Sequence, residues 1–186
     1  MRMIKKLTTL ILLTSVPTLA HALNVEAECN GGLAEGSYRA ATDEGVVRIT
    51  GEYRQGKRYG TFTVYDPAGE RLVELPYKDG LLNGTIQAWY TPGTSDVSDS
   101  QPKVMSEVLD DVVEGQYKTW YPDGAKRSIA LINEGTVTSF EAWEPDGSPL
   151  KITDQLAFLD ADIETDFVYY EQLEQVLNSY PPNCSG

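Results

Sequence analysis

Between residues 32 and 148 the chain alternates apolar and polar side chains in short runs, each closed by Gly, Pro or Asp. Gly60-Thr61-Phe62-Thr63-Val64-Tyr65 and Gly84-Thr85-Ile86-Gln87-Ala88-Trp89 are two such runs. A period of two puts successive side chains on opposite faces of an extended backbone, so the runs predict short antiparallel strands. Asp66-Pro67-Ala68-Gly69, Pro122-Asp123-Gly124 and Pro145-Asp146-Gly147 supply one set of turns, and Gln55-Gly56 and Asp79-Gly80 supply the opposite set.

The runs recur on a 24-residue glycine frame: Gly, three residues, Gly, four residues, usually an aromatic, three residues, Gly. It reads Gly32-Gly36-Ala41-Gly45, Gly56-Gly60-Tyr65-Gly69 and Gly80-Gly84-Trp89-Gly93. After seven extra residues it returns as Asp111-Gly115-Trp120-Gly124, and then, one residue short, as Gly135-Thr138-Trp143-Gly147. Units this short cannot each enclose a core, so they must stack into one continuous body. The expected fold is mainly β, a meander of about five stacked β-hairpin repeats over 23–150, followed by an acidic C-terminal α-helix and tail over 151–186 that pack on or cap the sheet.

Alignment of the units sorts residues into columns. Tyr38, Phe62, Ile86, Tyr117 and Phe140 share one position, and Ala40, Val64, Ala88, Thr119 and Ala142 follow two residues later on the same face, the expected core face. Tyr53, Tyr77, Val108 and Ile132 form a further apolar column, with Cys29 at the equivalent place in the first unit. Arg39, Thr63, Gln87, Lys118 and Glu141 are expected on the opposite, wet face. Tyr65, Trp89, Trp120 and Trp143 share parity with that polar face. They either pack under neighbouring turns as the sheet coils, or form an aromatic binding ridge. In the tail, Phe167, Tyr170, Leu173, Leu177 and Tyr180 recur at helical spacing, with Thr165 or Asp166 as expected N-cap and Pro181-Pro182 as the stop.

The ends change the picture. Arg2, Lys5 and Lys6, an apolar run over 7–16 and the triplet Ala20-His21-Ala22 read as a signal peptide over 1–22. No other stretch approaches a membrane span, and the mature chain is expected in the periplasm or secreted. Its 164 residues hold 12 Lys and Arg against 28 Asp and Glu, a formal charge of −16. Residues 94–186 contribute −13 of it. A field of that sign repels nucleic acid and anionic lipid and favours a basic protein partner, unless it serves solubility alone. Cys29 and Cys184 flank the repeats and are expected to form one disulfide. The 91–103 segment, which carries the insertion with Asp96 and Asp99, is expected as a projecting polar loop and a candidate contact region.

The stretch Gly51-Glu52-Tyr53-Arg54-Gln55-Gly56-Lys57-Arg58-Tyr59-Gly60-Thr61-Phe62 resembles the MORN repeat, and the unit from Tyr77-Lys78-Asp79-Gly80 to Gly93 is similar to its bacterial variant, common in proteins classed as antitoxin-like or immunity-like. The resemblance covers about residues 32–148. It implies a β-hairpin stack that mediates interactions and supplies no catalytic residue.

The residue inventory points the same way. His21, the only histidine, lies in the leader, so triads, Cys-His pairs and histidine-zinc sites have no imidazole in the mature chain. Asp160, Asp162, Glu164, Asp166 and Glu171 imitate calcium-loop spacing, but Thr165 stands where the sharp turn needs glycine. An acidic start to the expected helix explains the cluster instead. A carboxylate pair for hydrolysis would need a concave cleft with two acids at catalytic separation. The chain is therefore expected to be a non-catalytic interaction module of immunity type, without cofactor or metal. The alternative is an envelope scaffold, or a glycan- or peptide-binding module that uses the aromatic row.

Overall fold

The computed structural model describes residues 22–91 and 101–184. The segments 1–21 and 92–100, and with them most of the expected signal peptide and both Asp96 and Asp99, lie outside the described residues. The strands are β1 (Asn24–Asn30), β2 (Leu33–Ala41), β3 (Val47–Arg54), β4 (Lys57–Tyr65), β5 (Arg71–Lys78), β6 (Leu81–Leu82), β7 (Gly84–Trp89), β8 (Pro102–Leu109), β9 (Val112–Trp120), β10 (Lys126–Asn133) and β11 (Thr136–Ala142), followed by α1 (Ile152–Ser179). They form one sheet in chain order, with the short β6 on β5, and each neighbouring pair is antiparallel. The expected meander of hairpins with a C-terminal helix is the architecture found. The sheet is an open ribbon with β1 and β11 at its two edges.

The turns follow from the frame. Gln55-Gly56, Asp79-Gly80, Asp110-Asp111 and Glu134-Gly135 all have positive φ at both residues, the mirror-image turn whose twist matches a hairpin. Asp111, at φ 68°, takes a glycine's place, and its strain is offset by two bonds to the preceding unit. Its carboxylate accepts the Leu82 N–H at 2.7 Å and its own N–H reaches the Leu82 carbonyl at 3.0 Å. At the other ends, Asp66, Asp123 and Asp146 each accept the N–H two residues on at 2.8–2.9 Å, the local bond that makes aspartate a turn residue.

The first four units also carry a bulge. Ala40 and Ala41 pair with Ile49 and Val47, which leaves Arg48 as the extra residue, and the same shift leaves Leu72, Lys103 and Arg127 extra in later units. A bulge re-aims the side chain it inserts. Leu72 and Arg48 are thereby buried, although simple alternation would turn both outward.

The core face carries the predicted columns. Tyr38, Phe62, Ile86 and Tyr117 are buried, as are Ala40, Val64, Ala88, Thr119 and Ala142, and Phe140 is partly so. Tyr53, Tyr77, Val108 and Ile132 are buried too, whereas Cys29 is exposed at the margin. Tyr38, Tyr53 and Tyr77 surround Phe62 with centroids 5.4–5.8 Å away.

The helix lies across this face and retraces the strand order. Phe158 meets Phe140 of β11, Asp162 meets Arg127 of β10, Lys103 of β8 sits over Tyr169, Glu174 meets Tyr77 and Arg58 of β5 and β4, and the Tyr180 carbonyl accepts from Tyr38 of β2. Leu159, Leu173 and Leu177 are its fully buried anchors, each contributing roughly 2 kcal/mol of apolar burial. The expected start at Thr165 or Asp166 is corrected to Ile152. Thr165 lies mid-helix with its hydroxyl bonded to the Ala161 carbonyl, and Asp160, Asp162, Glu164 and Asp166 are too far along for the helix dipole to account for them. Lys151 makes no side-chain cap, and Pro181-Pro182 follow the helix as expected.

Gly51 occupies a core position on β3 directly under Phe62, where a Cβ would lie 2.6 Å from three ring atoms. Gly51→Ala is expected to cost about 1–3 kcal/mol by overpacking. Gly45, where nothing lies within 4 Å of an added Cβ, is the comparison site. Gly45→Ala there reports backbone strain alone, and urea denaturation of the two variants measures the difference.

Candidate binding face

The helix covers one face of the sheet and is held there by polar clamps as well as by apolar packing. The firmest polar contact beneath the helix is centred on Arg58, turned inward from β4 and largely buried. Its guanidinium donates to Glu174 at 2.8 Å and to the Asn178 side-chain oxygen at 2.8 Å. The Tyr77 hydroxyl donates a short bond to the other Glu174 oxygen. Burial works against the charge on Arg58, but Tyr77 and Glu174 outweigh it and hold the pKa above its ordinary value. Burial, then the hydrogen bond to Glu174 and its charge, push the Tyr77 hydroxyl well above the usual tyrosine range. Tyr38 is raised likewise, first by burial and then by Tyr53. A second clamp joins Arg127 to the buried Asp162, with Phe158 beneath the guanidinium at 4.8 Å. Both clamps tie the helix to the sheet and leave these carboxylates bound to arginines.

The opposite face has no helix over it among the described residues. The expected polar column lies there, with Arg39, Gln87 and Lys118 half-buried, Glu141 exposed and Thr63 buried. Tyr65, Trp89, Trp120 and Trp143 stand at one register position, opposite Arg71, Pro102, Lys126 and Pro149 respectively, and all four are half-buried. The structure therefore brings these four together as one row. Tyr65 leans back over the preceding strand, with its hydroxyl 3.4 Å from Thr50 Oγ1, and the Trp89 ring is covered by the Arg71 guanidinium at 4.6 Å. Their backbones join the units. The Tyr65, Trp120 and Trp143 carbonyls accept from Arg48 Nε, the Tyr90 hydroxyl and the Tyr121 hydroxyl at 3.1, 2.7 and 2.9 Å, each donor coming from the unit before. A shallow depression at the N-terminal end of this face is lined by Glu26, Glu28, Ser37, Arg39 and Thr50.

The charges are distributed unequally. Each arginine of the described residues is engaged within the chain: Arg39 with Glu26 and the Gly45 carbonyl, Arg48 with Tyr65, Arg54 over Tyr59, Arg58 and Arg127 under the helix, and Arg71 with Glu74 and Trp89. Many carboxylates point outward, including Asp43, Glu44, Glu70, Asp123, Glu144 and Asp146 on the turns and Glu164 and Glu171 on the helix. Four of these arginines take a carboxylate each, so the pairs cancel and the exterior keeps the acidic sign of the composition.

Cys29 and Cys184 are joined, which ties the tail beyond the helix to the first strand. No helix among the described residues is long and apolar enough to cross a membrane. Compared with protein-family models and with curated proteins, the chain matches none.

The clamp carries a pH dependence. Tyr38 and Tyr77 ionise above the ordinary 10.0 when folded, so the unfolded chain loses these protons first. Stability from them is complete below about pH 10 and declines as pH rises beyond it. Tyr77→Phe is expected to cost about 1–2 kcal/mol at neutral pH and to flatten that alkaline decline. Denaturant titrations across the range measure both.

Proposed function

We propose that the chain is a non-catalytic protein-interaction module of immunity type, acting in the periplasm or after secretion, that holds a basic partner. The observation that carries this reading is the asymmetry of charge. The arginines are engaged within the chain, four of them with one carboxylate each, and the acids in excess, among them Glu144, Glu164, Glu171 and the turn carboxylates, face outward. Such a surface speeds encounter with a basic protein and disfavours acidic ones. A disulfide between the chain's two ends suits an oxidising compartment. The MORN-like frame supports a binding role, because a stack of hairpins provides a wide, rigid surface without a deep cleft. In the immunity role, the acidic half occludes a basic toxin delivered to the periplasm.

Affinity capture from periplasmic extract with the mature, oxidised protein tests this. A basic protein is expected to be retained at low salt and released as salt rises. Joint replacement of Glu144, Glu164 and Glu171 by glutamine is expected to weaken its binding about tenfold, as loss of long-range attraction does. Unchanged binding by that variant rejects the charge-driven reading. Retention of glycan fragments that ignores salt moves the site to the Tyr65, Trp89, Trp120 and Trp143 row and the scaffold or ligand-binding role.

A further inference from the structure

The two edges of the sheet are treated differently. At one edge, β1 is fastened by the Cys29–Cys184 bond and carries Glu26 and Glu28. At the other, β11 pairs with β10 alone among the described residues. Thr136, Val137, Thr138 and Ser139 are exposed, and the strand contains neither proline nor lysine, two residues that commonly blunt an edge. The outward positions follow from two fixed points. The Ala142 carbonyl already turns away from β10 to take the Leu150 N–H at 2.8 Å. Alternation then places the peptide groups of Phe140 on the outer side. At the hairpin end Thr136 pairs with Asn133 across the turn, and Thr138 is an extra residue between the Ser139–Leu131 and Val137–Ile132 pairs, so the alternation shifts there and Val137 faces outward as well. The contact of Trp143 and Ala142 with residues 149 and 150 therefore begins a ladder that stops where β11 becomes free.

The rim of this edge is uniformly acidic. Glu134, Glu141, Glu144 and Asp146 are exposed, and residues 128–150 contain no lysine or arginine. A second copy would bring the same carboxylates and its own large negative charge to the contact. An extended basic segment brings the opposite sign.

We infer that β11 is a docking edge that takes an extended, basic segment of a partner protein as an added antiparallel strand. Backbone bonds at Val137 and Phe140 supply the pairing, and the acidic rim supplies the preference for lysine and arginine. This names the contact for the partner class proposed above and rests on that reading.

The test uses the mature, oxidised protein and a labelled ten-residue peptide of alternating lysine and valine, alongside the same peptide N-methylated at every valine. Fluorescence anisotropy measures binding, and amide hydrogen exchange locates it. The expected result is binding of the unmodified peptide with slowed exchange at Val137 and Phe140, and at least tenfold weaker binding of the methylated form. Val137→Pro, which removes an outward donor, is expected to weaken binding by a similar factor, and the methylated peptide gives the same information without altering the fold. Equal binding of both peptides, or protection confined to the helix or turns, overturns the edge site and leaves the acidic-surface reading standing. Binding of neither peptide also overturns it, while capture of a salt-sensitive basic partner judges the broader function separately. Self-association that Val137→Pro abolishes and the peptide does not compete overturns the choice of occupant.

Discussion

A sheet one layer thick has to hide an apolar face along its whole width, and here a single helix does so by keeping step with the strands. A helix of 28 residues is about 42 Å long at its usual rise. Ten strands side by side span about 43 Å at the usual spacing. The contacts follow this match in order, from Phe158 on β11 through Asp162, Tyr169 and Glu174 to Tyr180 above β2. Between Phe158 and Glu174 the helix advances about 24 Å, the width of the strands from β11 to β5. If the helix were half as long, the core columns at one end of the sheet would face water.

The strand pattern, the core columns and the mirror-image turns were legible in the sequence because each depends on local chemistry: alternation, Gly or Asp at positive φ, Asx bonds. Two features were not. The bulge residues Arg48, Leu72, Lys103 and Arg127 precede a core residue, so parity alone turns them outward, and only the paired strand shows them to be extra. The helix start was hidden for a related reason. Without a capping residue at Lys151, and with Asp160 and Asp162 interrupting the apolar spacing, nothing local marks the first turns, and Asp162 makes sense only beside Arg127. The aromatic row was visible as a column, but the sequence could not show that Arg71 lies over Trp89 or that the row's carbonyls join successive units.

The same bulges connect fold to surface charge. By turning cations toward the core side, they let Arg48 and Arg127 satisfy buried carbonyl and carboxylate groups. Arg127 cancels against Asp162, Arg48 is withdrawn against a backbone carbonyl, and the turns continue to require aspartate for their own hydrogen bonds. An acidic exterior is in this sense partly a by-product of how the repeat's turns are built. The core is uneven as well. Tyr38, Tyr53, Phe62 and Tyr77 crowd the first half, whereas Ser106, Thr119 and Ser128 occupy the second. There Thr119 and Ser128 bond to one another at 2.7 Å.

The link between Cys29 and Cys184 has a temporal side. The two residues are 155 positions apart, and the second lies beyond the helix that must cross the entire sheet before the sulfurs can meet. Synthesis delivers Cys29 155 positions before Cys184, so over that whole stretch Cys29 has no second thiol downstream to meet. With only these two cysteines in the sequence, no wrong intramolecular pairing exists to be undone. Oxidation therefore acts as a docking mark, set only on molecules in which the segment after the helix has travelled back to the first strand.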